Sequence, residues 1–138
     1  MCIRDRGIPD KAYEFKKLVN ESIGIIISLA EHNGSYTSAF KNIYDWISVI
    51  ETKVWGNKPL ILLSTSDGQN AGKTVLQTAL SRFSRQSKQE IPHFSLPNFN
   101  ENFSDADGII NKKLSEELDK QIGIFSSQVD NLLDSSNN

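Results

Sequence analysis

Two short polar stretches in this chain carry residue types suited to holding a small molecule: Glu31-His32-Asn33-Gly34-Ser35 and Ser64-Thr65-Ser66-Asp67-Gly68. Each mixes hydrogen-bonding side chains with a glycine that lets a ligand approach the main chain closely. Each lies at the end of an apolar run, Ile23–Leu29 in one case and Pro59–Thr65 in the other. A polar turn carried from an apolar strand to a helix start is the layout of ligand sites in open parallel sheets, which lie beyond the carboxyl ends of the strands. Acid–base and nucleophilic chemistry find less support. His32 and His93 are far apart and neither has a serine, cysteine or carboxylate partner at a recognisable spacing, so no catalytic residue is assigned. The single cysteine, Cys2, excludes an internal disulfide and offers no metal-site spacing.

One stretch imitates a different chemistry. Gly68-Gln69-Asn70-Ala71-Gly72-Lys73-Thr74 stands between a strand and a helix, as a phosphate-binding P-loop does. Three residues rather than four separate its glycines, and Asp67 would repel an anion. Nucleoside triphosphate binding is the alternative that this stretch leaves open.

The elements that position these turns follow from periodicity. Ile8, Ala12, Phe15 and Val19 have helical spacing, with Pro9 in a tolerated first-turn position. Between the two apolar runs, Phe40, Ile43, Tyr44, Ile47 and Ile50 share one helix face that can lie back on a sheet, which makes a βαβ unit. A further helix is expected from about Ala71 to Ser84. Ile91–Leu96 reads as a third strand, and Pro92 suits it to an edge. Pro97–Gly108 reads as a loop, and Leu114, Leu118, Ile122, Phe125, Val129 and Leu132 mark a final helix that covers one side of the sheet.

At 138 residues, with 38% hydrophobic and 23% charged residues, the chain suits one compact α/β domain rather than two. The net charge is −2 and no basic patch points to nucleic acid. No apolar run approaches the roughly 20 residues needed to cross a bilayer, so the expectation is a soluble cytoplasmic protein.

The start of the chain reads differently from the rest. Met1-Cys2-Ile3-Arg4-Asp5-Arg6 resembles the translation of a transposase adapter used in preparing sequencing libraries, which would put the authentic start at Gly7; a genuine short N-terminus is the alternative. Three parallel strands with four helices leave Ile23–Leu29 at an edge although it is apolar throughout, and such edges invite aggregation. A missing strand upstream of Gly7 would cover it. The expectation is a fragment, with a domain over residues 7–134 and a polar tail over 135–138.

Ala30-Glu31-His32-Asn33-Gly34-Ser35 resembles the Pro-Glu-Tyr-Asn-x-Ser loop of the NADPH-dependent FMN reductases, a flavodoxin-like family that includes quinone, chromate and azo-dye reductases. Ala39-Phe40-Lys41-Asn42-Ile43-Tyr44-Asp45-Trp46 is similar to the family's Leu-Lys-Asn-x-x-Asp-Trp helix, and Ser64-Thr65-Ser66-Asp67-Gly68 to its Ser-x-Ser-Pro-Gly turn. Phe94–Phe99 and the stretch around Asn102 to Ile109 resemble its last strand and the loop that follows. The sequence departs from the pattern at Ala30 and Asp67, where proline is usual, and at His32, where tyrosine is usual.

The resemblance implies a flavodoxin-like three-layer α/β/α parallel sheet that lacks the first strands and the serine-rich phosphate-binding loop. It implies FMN held at Glu31, His32, Asn33, Gly34, Ser35, Ser64, Thr65, Ser66, Asp67 and Gly68, with main-chain groups on the ring edge. NADPH or NADH would be the co-substrate and a small molecule such as a quinone the electron acceptor. Asp67 either shifts the redox potential or points to solvent. The full-length protein would be a homodimer or tetramer, with Trp46 in an interface helix, and the fragment would hold FMN weakly or not at all. A flavodoxin-like electron carrier or binding module without NAD(P)H oxidation is the competing reading.

Overall fold

The computed structural model describes residues 7–136. Residues 1–6, on which the adapter reading rests, lie outside the described residues. Three parallel strands form the central sheet in the order β1-β4-β5: β1 is Ile25–Leu29, β4 is Leu60–Thr65 and β5 is His93–Leu96. The central position falls to β4, the strand whose apolar run is longest and most completely buried. Helices α1 (Asp10–Glu21), α2 (Ser38–Ile50) and α3 (Lys73–Phe83) pack on one face, and α5 (Lys112–Ser136) crosses the other. The hairpin strands β2 (Glu31–His32) and β3 (Ser35–Tyr36) follow β1; the short helix α4 (Phe99–Asn102) and the two-residue strands β6 (Phe103–Ser104) and β7 (Gly108–Ile109) follow β5.

Strand alternation divides the core into two layers. Ile27, Leu29, Leu60 and Leu62 face the three helices and meet Tyr44, Ile47, Val75, Leu76, Ala79 and Phe83. On the opposite face, Ile61 and Leu63 line an apolar trough with Phe125 and Val129 of α5. The trough is only partly filled: it encloses about 330 Å³ and Ile122 is 46% exposed beside it.

Several sequence expectations need correction. β1 starts at Ile25 rather than Ile23 and is not covered on both faces, since Ile26 is 64% exposed and Ser28 is also exposed. In α1 the inward stripe is Ala12, Lys16 and Val19; Phe15 is 38% exposed and a lysine takes the position assigned to it. Lys16 is tolerated there because its Nζ donates to Val54 O at 2.6 Å and pairs with Glu51 Oε2 at 3.0 Å. α3 begins at Lys73, because Ala71 and Gly72 are in the left-handed region at φ 57° and 67°. β5 begins at His93, although the Pro92 carbonyl already accepts Leu62 N–H at 3.0 Å. The expected loop 97–108 contains α4 and the β6–β7 pair. The expected polar tail is helical as far as Ser136.

Candidate functional site

The stretch after β1 is a tight hairpin rather than an open loop. Asn33 and Gly34 occupy its turn at φ 50° and 73°, the pair of positive angles that a type I′ turn requires and that Asn-Gly sequences favour. Gly34 therefore serves the turn; nothing approaches the place of a Cβ there. His32, Asn33, Gly34 and Ser35 are exposed, whereas Glu31 is half-buried. Thr37, just beyond, caps α2 by accepting Phe40 N–H at 3.1 Å.

The side chains of the second stretch are largely committed to the protein itself. Ser64 is 3% exposed; its hydroxyl donates to Ala71 O at 2.8 Å and meets Ser95 Oγ at the same distance. Thr65 Oγ1 donates to Leu96 O at 2.8 Å, and Ser66 Oγ donates to Gly68 O at 3.3 Å. Asp67 is exposed and its Oδ1 accepts from Asn100 Nδ2 at 3.0 Å. What remains available is main chain: among the described residues, the N–H groups of Asp67, Gly68 and Gln69 donate to no protein acceptor, and all three residues are exposed.

Glu31 joins the first stretch to the segment that follows the second. Its Oε2 accepts Val75 N–H at 2.9 Å, and its Oε1 lies 3.4 Å from Asn70 Nδ2. The physical reason lies in Gly72, the N-cap of α3, which has no side chain with which to satisfy the third amide of the helix. Glu31 supplies that acceptor from another loop and places its charge at the positive end of the helix dipole. An anion thus already holds the helix start that the P-loop imitation would use.

A third loop, outside the ten residues expected at the site, completes the cluster. After β5, Asn98 N–H donates to Gly68 O at 3.2 Å and Phe99 N–H donates to Ser66 O at 3.0 Å. The turns beyond the carboxyl ends of β1, β4 and β5 therefore form one connected group. Under it, a cavity of about 210 Å³ is lined by Ser28, Thr65, Leu96, Phe99 and Phe103 among others. From the hairpin inward runs a series of ring contacts, Tyr36 to Phe40 at 5.2 Å, Phe40 to Tyr44 at 6.1 Å and Tyr44 to Trp55 at 5.9 Å. Burial, with a smaller contribution from Tyr44, pushes the Tyr36 hydroxyl up to about 12 against an opposing effect of Arg82. Trp55 is a core residue, 6% exposed, and His93 is held by Ile91 O at 3.0 Å. Among the described residues no group of three or more His, Cys, Asp or Glu could hold a metal, and no helix is long and apolar enough to cross a membrane.

Residues 1–101 match the family of NADPH-dependent FMN reductases. The chain belongs to that family. A 2-hydroxy-1,4-benzoquinone reductase from a Burkholderia species is 34% identical over 77 residues, which cover 55% of this chain and 42% of the relative; the chain thus spans less than half of that relative's length. Among solved structures, FerB, a flavoenzyme NAD(P)H:(acceptor) oxidoreductase from Paracoccus denitrificans, superposes with a TM-score of 0.69 at 18% identity, over 89% of this chain and 69% of FerB. An oxidoreductase from Corynebacterium diphtheriae superposes with a TM-score of 0.62 at 19% identity, over 90% of this chain and 62% of the other. The fold of this FMN reductase family member is flavodoxin-like.

Proposed function

We propose that the protein is an NAD(P)H-dependent, FMN-containing oxidoreductase that passes electrons to a small acceptor such as a quinone. The observation that carries this reading is the exposed main-chain N–H groups of Asp67, Gly68 and Gln69, which donate to no protein acceptor among the described residues and directly precede Asn70, the residue that the Glu31 carboxylate contacts from the hairpin. Exposed amides fixed by their neighbours suit the polar edge of a planar ring, which needs main-chain donors more than reactive side chains. The ten residues expected to hold the flavin divide accordingly. Ser64, Thr65 and Ser66 shape the turn, Glu31 ties the hairpin to Asn70 and Val75 just beyond it, and the exposed positions from His32 to Ser35 and at Asp67 and Gly68 offer contacts. Bound FMN supplies the chemistry, a two-electron transfer between NAD(P)H and an acceptor. Family membership, the quinone reductase relative and the FerB likeness support the same reading.

The phosphate of FMN requires a separate anchor. The starts of α2, α3 and α5 are closed by Thr37, Glu31 and Asn111. A phosphate is best held at an unoccupied helix N-terminus. We infer that a further parallel strand on the open edge of β1, followed by a helix over exposed Ile26, carries that anchor. On this reading the chain alone binds FMN weakly and is inactive, whereas the protein of the intact reading frame is yellow. It would be cytoplasmic and form a homodimer or tetramer with Trp46 near the interface.

Flavin titration of both polypeptides, followed by stopped-flow mixing with NADPH and with NADH and then with benzoquinone, tests the proposal. Bleaching of bound flavin by a nicotinamide nucleotide and its recovery with quinone are expected. An intact protein that stays colourless in FMN overturns the flavin assignment. Bound flavin that neither nucleotide reduces would mark an electron carrier instead.

A further inference from the structure

We infer that Glu31 is a positioning residue, the strut that sets the distance between the two ring-edge turns, and that its carboxylate acts on the bound ligand through α3 rather than by touching it. The inference rests on the flavin reading given above. Glu31 is half-buried and both its oxygens point at the 70–75 segment: Oε2 accepts Val75 N–H at 2.9 Å and Oε1 meets Asn70 Nδ2 at 3.4 Å. Each carboxylate oxygen thus has a protein partner at the entry to α3. Asn70 is itself braced by Thr74 Oγ1 at 3.3 Å, so the bridge reaches the turn just after Gln69 as well as the helix.

Three neighbouring features explain why the geometry depends on this one side chain. Gly72 has no side chain to cap its own helix and Ala71 before it has a positive φ; the Ser64 and Ser95 hydroxyls hold the Ala71 carbonyl, but the acceptor for the Val75 amide comes from Glu31. The hairpin is a two-residue ladder, too short to hold a fixed place without a tertiary contact. The other clamp on the 66–68 turn, from Asn98 and Phe99, comes from the β5 side and leaves the hairpin side to Glu31.

The probe is riboflavin, which lacks the phosphate and so reports the ring site alone. Its affinity and the visible spectrum of the bound ring are measured for the chain and for Glu31→Ala, Glu31→Gln and Asp130→Asn, the last at an exposed position on α5 outside the site. Losing a charge-assisted hydrogen bond predicts an affinity loss of about tenfold or more in Glu31→Ala. Glu31→Gln, which keeps an acceptor oxygen, should recover part of that loss. The bound spectrum should shift in both, while Asp130→Asn, which removes an acidic charge without cutting the bridge, should match the unsubstituted chain. Unchanged affinity and spectrum in Glu31→Ala overturn the inference, as does an equal loss in Asp130→Asn. Should the unsubstituted chain and the intact protein both ignore riboflavin and FMN, the flavin reading fails. Amide hydrogen exchange without ligand then decides: faster exchange over residues 66–75 in Glu31→Ala but not in Asp130→Asn upholds the strut, and equal exchange removes it.

Discussion

The Glu31 carboxylate accepts the main-chain N–H of Val75 at 2.9 Å although the two residues are 44 positions apart. This bond joins the turn that follows β1 to the helix that follows β4. It also settles the competition at the start of α3, because a side chain with a full negative charge fills the position that a phosphate would need.

Lys16 is 2% exposed and joins α1 to the segment between α2 and β4. Its Nζ bonds Val54 O at 2.6 Å and pairs with Glu51. Lys16→Met keeps most of the volume but leaves a buried carbonyl without a donor. The expected cost is about 1–3 kcal/mol, read as a lower urea midpoint at constant slope. A midpoint equal to that of the parent chain would contradict the account.

Gly24 permits α5 to approach the sheet edge. A Cβ at this position would lie 2.9 Å from both Phe125 Cζ and Val129 Cγ2. Gly24→Ala is expected to destabilise by about 1–3 kcal/mol through overpacking. In combination with Val129→Ala the two losses should be less than additive, and strict additivity in the double-mutant cycle would refute the contact.

Tyr36 carries a buried hydroxyl with no hydrogen-bond partner among the described residues, and its pKa is raised to about 12 from 10.0, mainly by burial. The folded protein thus keeps the phenol neutral in a range where the unfolded chain ionises it. Its contribution to stability is whole below pH 10 and declines as pH rises from there toward about 12. Tyr36→Phe should leave stability at pH 7 unchanged or raised, and flatten the decline in melting temperature above pH 10. An identical alkaline decline in the two proteins would exclude Tyr36 as its source.

Ile26 is 64% exposed on a strand that, among the described residues, is paired along one edge only. Exposed apolar residues on such an edge promote association between chains. Ile26→Lys is therefore expected to shift size-exclusion profiles toward monomer while changing unfolding stability by less than about 0.5 kcal/mol. A loss of stability instead would mean that Ile26 is packed.

The apolar runs and the helical stripe between them were legible because burial imposes them locally: a central strand such as Leu60–Thr65 must be apolar on both sides, and α2 must turn Tyr44 and Ile47 inward. The convergence of the two turns followed from the parallel arrangement. Asn33-Gly34 is itself a hairpin signature, and the positive φ of Gly34 serves that turn. The role of Glu31 was not legible, since an acceptor for Val75 can come from any part of the chain and only the folded path brings it there. Lys16 misled for a related reason: its position in the core stripe makes sense only once the carbonyl of Val54 and the carboxylate of Glu51 are placed around it. The contribution of Asn98 and Phe99 depends on main-chain groups, which leave no mark in residue type.

Among the described residues β4 has a parallel neighbour on each side, and each of those pairings joins segments far apart along the chain, Ile25 with Leu60 and Leu62 with His93. Pairings of that kind require large loops to close before any ladder forms, which slows the search for the native topology. The middle strand is thus the rendezvous for both ends of the sheet, and the barrier to folding is set by how rarely β1 and β5 find it.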